Sequence, residues 1–363
     1  MPKHNIFNKS VILITGGTGS WGNELVTQLL SKYNPKEIRI YSRGEHKQVE
    51  MKRRFQGQPL KYIIGDVRNR DRLIASTSGV DYIFHLAALK HVPICEENPW
   101  EAVQTNIMGT QNVIDAALLN KVKKVIDIST DKAVDPFNLY GVTKSCGEKL
   151  VVAANLASDS TKFVCVRGGN VMGTNGSVIP LFREQLKRLN EITITDPRMS
   201  RFLMRVQDAI SLLLFASTES YGGEIFVMKM PACKISNLAE VMVKKLGNKK
   251  TKVKTIGIRP GEKLYEVLVS KYEMPNTLEL KDYFVILPQI KIEGVGEHYK
   301  GKKFFKTVLD EFNSNNTYIM SKKEILSLLK IDGWLKKNGP GSDLTSIDTK
   351  FIKNLSKSEG WGK

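Results

Sequence analysis

The chain has 363 residues, 41% of them hydrophobic, with 55 Lys and Arg against 37 Asp and Glu and a net charge of +18. That balance supports an ordinary core, excludes a disordered chain, and fits one two-lobed enzyme or two modest domains. No apolar run approaches the roughly 18–20 residues of a membrane-spanning helix, the polar start Met1–Ser10 lacks a signal-peptide pattern, and Cys95, Cys146, Cys165 and Cys233 show neither CxxC nor metal-ligand spacing.

The expectation is therefore a soluble cytoplasmic protein with four free thiols and no metal. Its basic residues are spread along the chain, without a basic arm or a nucleic-acid motif. Anionic small ligands suit that field better than nucleic acid.

In chain order, short β-rich runs alternate with helical periodicity, the pattern of an α/β fold with a parallel sheet covered by helices. Strands are expected at Val11–Ile14, Ile38–Tyr41, Leu60–Ile64, Tyr82–Leu86, Val125–Ile128 and Phe163–Arg167. Leu25, Leu29 and Leu30 fall at helical spacing after the first strand. Ala102, Val103, Val113, Ile114 and Ala117 can line one helix face after the fourth, with Pro99 near the start, where proline is tolerated. From Asn170 onward Gly and Pro punctuate Gly173–Pro180, Asp196–Pro197 and Arg259–Gly261. The expected organisation is a domain over 1–170 to which 204–232, with a strand at Ile225–Met228, returns. A smaller interleaved lobe covers 171–335, and a loosely ordered basic tail covers 336–363.

Val11–Ile14 runs into Thr15-Gly16-Gly17-Thr18-Gly19-Ser20-Trp21-Gly22, a GxxGxxG turn between a strand and a helix. Glycines let the backbone approach a pyrophosphate, and the helix N-terminus offers unpaired N–H groups to it. The second strand ends Tyr41-Ser42-Arg43-Gly44, with Lys47 beyond. A reader of NAD usually places a carboxylate there. A hydroxyl and cations suit a 2′-phosphate, so NADP is expected ahead of NAD. Glu45 keeps open the reading of Arg43 as an ordinary surface arginine. Gly65-Asp66-Val67 follows the third strand, where Asp66 could meet an adenine. His85-Leu86-Ala87-Ala88-Leu89-Lys90 closes the fourth, with small residues that let the nicotinamide end pass. His91 stands alone and reads as a packing residue.

Val125–Ile128 leads to Ser129-Thr130-Asp131-Lys132, and Tyr140 and Lys144 follow at helical i, i+4 spacing. An ammonium beside a phenol favours the phenolate, so Tyr140 can serve as a base near neutral pH. That pair explains removal of a hydride and a proton from an alcohol carbon. It leaves Asp131 and Lys132 unexplained. A dehydration needs such a second acid–base pair, and a simple epimerase or ketoreductase does not.

Taken together, the chain resembles the short UDP-N-acetylglucosamine 4,6-dehydratases of the extended short-chain dehydrogenase/reductase superfamily, above all the inverting type of the pseudaminic acid pathway. The resemblance covers nearly all of residues 9–270. It rests on TGGTGSWG from Thr15, YSRGEHK from Tyr41, GDVR from Gly65, AALKHVPICEENPWEAVQTNIMGTQNV from Ala87, STDKAVDPFNLYGVTK from Ser129, GSVIPLF from Gly176, ITDPRMSRF from Ile194 and GIRPGEKLYE from Gly257.

The resemblance implies a Rossmann-type doubly wound sheet, a homo-oligomer (dimer or hexamer) and a UDP-N-acetylhexosamine substrate. It implies that Thr130 binds the sugar 4-oxygen, Tyr140 takes the 4-hydroxyl proton, Lys132 takes H5 and Asp131 protonates the departing 6-hydroxyl. Glucose-type relatives carry Thr-Asp-Glu here, so Lys132 marks the N-acetylglucosamine branch and inversion at C5. Lys90, Asn170, Val178, Arg201, Arg259 and Glu262 would contact substrate, with Arg205 an alternative phosphate partner. Gly16, Thr18, Gly19, Ser20, Trp21, Gly22, Ser42, Arg43, Lys47, Asp66, Val67, Leu86, Tyr140 and Lys144 would contact the dinucleotide. The family often reads RYGN where this chain has Arg167-Gly168-Gly169-Asn170. The competing readings are a UDP-sugar 4-epimerase or ketoreductase on the same fold, and a non-enzymatic NADP-binding regulator.

Overall fold

The β-branched runs of the first half pair side by side, in the parallel order that alternating helices impose. In this computed structural model, residues 5–173, 177–259, 261–302, 304, 307 and 309–336 are described. The strands are β1 (Val11–Thr15), β2 (Glu37–Ser42), β3 (Leu60–Ile64), β4 (Tyr82–His85), β5 (Lys124–Thr130), β6 (Lys162–Gly168), β7 (Ile225–Met228), β8 (Thr277–Glu279) and β9 (Tyr283–Ile286). They form one sheet in the order β8-β9-β7-β6-β5-β4-β1-β2-β3. The first seven run parallel, and β9 and β8 add antiparallel strands at one edge. The β3-β2-β1-β4-β5-β6 core is the doubly wound Rossmann-type order, which changes direction between β1 and β4.

Helices α1 (Ser20–Lys32), α2 (Glu45–Arg54), α3 (Arg70–Thr77), α4 (Val92–Glu97), α5 (Pro99–Val103), α6 (Gly109–Leu119) and α7 (Leu139–Ala153) belong to the same unit. Ile12, Ile14, Phe84, Ile126 and Val166 of the strands are buried with Leu25 and Leu29 of α1. Such nearly continuous apolar strands are what a sheet covered on both faces requires. The periodicity of Ala102 to Ala117 is one helical run broken by a π-turn at Gln104–Met108, which joins α5 to α6. Pro99 opens α5.

The chain divides into two compact units. Among the described residues, the first comprises those up to Gly168 with Val206–Lys229 and Leu268–Glu311, and the second comprises the others. Residues 206–229 lie with the sheet, within the expected 204–232, and residues 268–311, expected in the smaller lobe, lie with it too. The reason is the apolar run Tyr283–Ile286, which pairs with β7 and buries Phe284, Val285 and Ile286. Helix α9 (Val206–Glu219) also belongs to this unit and contributes Ile210 and Leu213 to its core.

The second unit has its own core, in which α8 (Val178–Leu189) and α10 (Ile235–Leu246) bury Ile179, Phe182, Leu238 and Met242 with Ile192 and Ile194. Two short strand pairs complete it, Glu191–Ile194 with Lys252–Thr255 and Ser200–Phe202 with Ala232–Lys234. The expected tail beyond Lys336, residues 174–176 of the Gly173–Pro180 stretch, and Pro260 lie outside the described residues.

Candidate active site

Three loops at the carboxyl ends of parallel strands carry the polar groups, the usual position for a site in an open α/β sheet. The first follows β1. Gly16 adopts a positive φ of 65°, and a Cβ there would lie 2.9 Å from the Ala87 backbone. At Gly22 a Cβ would meet the Gly17 carbonyl, so only glycine lets α1 start this close to β1. Gly19, by contrast, has nothing nearer than 3.4 Å. It caps α1 without a side-chain hydrogen bond, and no acid occupies the first turn. The first-turn N–H groups therefore lack a side-chain cap and an acid in that turn, which fits a pyrophosphate.

Asn23, which sequence reasoning passed over, braces the turn by donating to the carbonyls of Thr18 (3.1 Å) and Gly19 (3.0 Å). A Cβ on Gly168 would lie 3.6 Å from the Trp21 ring, which places that ring beside the end of β6. Ser42 is buried, and its hydroxyl and carbonyl accept from Gln48 at 3.0 Å. Arg43 and Lys47 are exposed. Arg43 lies 3.7 Å from Asp66, which is already bound by the Arg68 guanidinium at 2.7 Å and 2.9 Å. Burial opposes ionisation of Asp66, but Arg68 and Arg43 hold its carboxyl below the usual range. Val67 is buried, and Asn112 fixes its loop by donating to the Val67 carbonyl at 2.9 Å.

The second loop follows β4, and Thr15 ties it to the first. Thr15 Oγ1 accepts from the Leu86 (3.1 Å) and Ala87 (3.3 Å) amides and lies 2.7 Å from His85 Nδ1. With both lone pairs engaged, the hydroxyl donates to Nδ1, and the ring proton sits on Nε2, 3.2 Å from Thr110 Oγ1. Burial and the Lys144 charge push His85 down to about 3, so it is neutral. Asn106, on the π-turn, exchanges hydrogen bonds with the Leu89 backbone at 2.8 Å and 2.9 Å and donates to Thr143 of α7 at 3.0 Å. One asparagine thereby couples the second loop to the helix that bears Tyr140. A π-turn at such a place is a frequent companion of function.

The third loop follows β5. Thr130 caps the short helical turn Asp131–Ala133, accepting weakly from the Lys132 amide at 3.4 Å. Its hydroxyl donates to Asp131 Oδ1 at 2.8 Å, and Lys132 Nζ reaches the same oxygen at 3.1 Å. Thr130 and Lys132 thus converge on one oxygen of Asp131. Asp131 Oδ2, although buried, has no hydrogen-bond partner among the described residues. Burial raises the Tyr140 phenol, while Lys144, Lys132 and Thr130 pull it down; the net position is above its ordinary value. Lys144 is 3% exposed and pairs with Asp127 at 3.2 Å. Burial works against its charge, but Asp127 and then Tyr140 hold it above the ordinary range. Burial, and then the Lys132 charge, lower the Lys90 ammonium.

Gly141 makes this packing possible. Asn138 caps α7 by accepting from the Gly141 amide at 2.8 Å. A Cβ on Gly141 would overlap the Lys132 carbonyl oxygen. Gly141→Ala is therefore expected to push α7 away from the Asp131–Ala133 turn. Displacement of reacting groups by about 1 Å costs on the order of 10²-fold in rate. A loss of kcat of that order with an unchanged dinucleotide Kd is the expected result; parental kcat would show that the turn absorbs the methyl group.

In the second unit the proposed substrate residues do not all stand open. Arg201 donates to the carbonyls of Ser200, Lys263 and Leu264 and faces Glu266 at 3.4 Å. Arg205 pairs with Asp332 at 2.9 Å. Arg259 lies 3.8 Å from Glu262, which also accepts weakly from the Arg259 amide. Asn170 has a buried Oδ1 without a hydrogen-bond partner among the described residues, and Val178 begins α8, packed on the core of that unit.

Residues 12–288 match the family model described as "Polysaccharide biosynthesis protein". The chain is 44% identical over 336 residues to a Campylobacter jejuni protein named UDP-N-acetylglucosamine 4,6-dehydratase (inverting), covering 89% of this chain and 98% of that one. It is also 44% identical over 334 residues to a Rickettsia rickettsii protein named UDP-glucose 4-epimerase, covering 89% and 96%. The X-ray structure of Pen from Bacillus thuringiensis superposes with a TM-score of 0.84 at 41% identity, covering 90% of this chain and 99% of that one. A match over three quarters of the sequence, supported by relatives aligned along almost their whole length, places this chain in the polysaccharide biosynthesis protein family.

Proposed function

We propose that the chain is an NADP-dependent 4,6-dehydratase of UDP-N-acetylglucosamine that inverts C5. The observation that carries the reading is the buried Asp131 Oδ2, without a hydrogen-bond partner among the described residues, beside Lys132 and Thr130. A buried carboxylate oxygen without a hydrogen bond is costly unless a ligand completes it. A departing hydroxyl is such a partner. The names of relatives that align along nearly their full length support the same reaction.

The dinucleotide would lie on the Gly16–Gly22 turn, with Ser42, Arg43 and Lys47 at its 2′-phosphate, and when bound it supplies reversible hydride transfer at C4 and C6. Tyr140 takes the 4-hydroxyl proton while Thr130 holds that oxygen. The ketone at C4 makes H5 acidic. Lys132 and Asp131 share a 3.1 Å contact. Moving one proton along it converts the ion pair into an amine and a carboxylic acid. The amine takes H5, the acid protonates the 6-hydroxyl, and water leaves. Net charge on the pair is zero before and after, so neither form requires a compensating ion. A proton returned to C5 from the opposite face inverts that centre.

The test is incubation with UDP-N-acetylglucosamine followed by mass spectrometry and product NMR. Loss of one water with inverted C5 is expected. An unchanged mass with interconversion at C4 would instead establish the epimerase reading, which the Rickettsia names favour.

A further inference from the structure

The reaction uses Tyr140 and Lys144 and assigns no task to the carboxylate in contact with Lys144. Asp127 lies in the middle of β5, completely buried, with its oxygens 3.2 Å and 3.5 Å from Lys144 Nζ. Two other ionisable groups face the pair. His85 Nε2 stands 4.0 Å from Asp127, and Cys165 lies opposite it in register on β6. Neither is charged: burial drives the histidine down to about 3 and the thiol well above its ordinary range. Lys144 is therefore the one charged neighbour of Asp127 among the described residues that act on it. The charges that act on Tyr140 are Lys144, Lys132 and Asp131.

A lysine this deeply buried loses its proton readily without an anion beside it. A neutral Lys144 would no longer favour the phenolate. We propose that Asp127 is a positioning residue of the reaction, its carboxylate on the rigid strand β5 holding the Lys144 ammonium charged and directed to the Tyr140 face of α7. The inference rests on the reading of Tyr140 and Lys144 as the base pair. A purely structural ion pair between β5 and α7 would affect stability alone. A positioning role moves the ionisation of Tyr140, a residue that Asp127 does not touch.

The experiment is a phenol titration of the cofactor-free protein, read immediately after a pH jump so that alkaline unfolding does not intrude. The ultraviolet difference between the chain and its Tyr140→Phe variant reports that single phenol. In Asp127→Asn the midpoint is expected to rise by about one pH unit or more, a tenfold change in the ionisation constant. Asp127→Glu is expected to move it back toward the parent. Asp127→Ser, smaller and free of any clash, carries the same expectation if the asparagine variant does not fold. An unchanged or lowered midpoint in a folded variant overturns the proposal.

Turnover gives the second reading. Asp127→Asn is expected to lower kcat at least about tenfold above neutral pH, with the loss diminishing as pH falls and Lys144 regains its proton. Substrate KM is expected to be unchanged. In a Lys144→Ala background the same substitution is expected to cost nothing further, and additive losses overturn the proposal. If the parent does not dehydrate the UDP-sugar at all, the functional reading fails, while the phenol titration still decides the role of Asp127.

Discussion

Lys132→Ala is expected to reduce kcat by about 10²–10⁴-fold, the usual contribution of a positioned acid–base group. Lys132 is only 26% exposed and is held against Asp131 by the turn that Thr130 caps. Alanine removes the amine that reaches Asp131. It leaves the Gly16–Gly22 turn intact, so dinucleotide affinity is expected to stay at the parental value. The informative comparison is with Tyr140→Phe. In a single turnover, Lys132→Ala should still allow oxidation at C4, seen as near-ultraviolet absorbance of reduced nicotinamide, without loss of water. Tyr140→Phe should suppress both signals. Solvent deuterium should enter C5 in the parent and not in Lys132→Ala. Water loss at the parental rate in Lys132→Ala would remove lysine from the mechanism and return the acid–base role to Asp131 alone.

Arg167→Ala is expected to destabilise the first unit by about 3–5 kcal/mol, the cost of stranding buried charges. Arg167 is 1% exposed. Its guanidinium reaches Glu148 of α7 at 2.6 Å and 2.9 Å, Glu273 at 2.9 Å and 3.1 Å, and the Leu268 carbonyl at 2.9 Å. Alanine would leave two carboxylates without their cation and one carbonyl without its donor. Because Glu148 follows Lys144 by one helical turn, loosening it also frees the helix face that carries Tyr140 and Lys144. Urea unfolding is the measurement. Arg167→Met with Glu148→Gln and Glu273→Gln is expected to recover part of the loss, since no charge then remains uncompensated.

The same triad predicts a pH dependence. Burial opposes ionisation of Glu273, yet Arg167 and Ser270 hold its carboxyl below the ordinary 4.5. A depressed carboxyl contributes stability that is present above 4.5 and is lost as pH falls through the lower folded value. The parent is therefore expected to lose stability more steeply below pH 4.5 than Arg167→Ala. Parallel acid limbs would show that Glu273 is not coupled to Arg167.

Much of this could be read from residues alone. The β-branched runs separated by helical periodicity specify a parallel sheet because each element must bury its apolar face, and β1 to β7 lie where those runs occur. β8 and β9 were not legible. Their pairing joins segments far apart in the chain, and no local pattern records which edge a strand will meet. The same limit explains why residues 268–311 were read into the smaller lobe.

The sequence by itself determined the family, the glycine turn after β1 and the candidate set Thr130, Asp131, Lys132, Tyr140 and Lys144, because these are short-range patterns set by chain geometry: a glycine turn at a strand end, and a helical i, i+4 pair. Only the tertiary structure decided what surrounds them. Asp127 and Cys165 face Lys144 because β5 and β6 are in register, His85 meets Thr15 because β1 and β4 are, and Gly141 matters because α7 settles on the Lys132 carbonyl. Each of those is a contact between elements, and its energy comes from burial that exists only once the sheet and its helices have closed together.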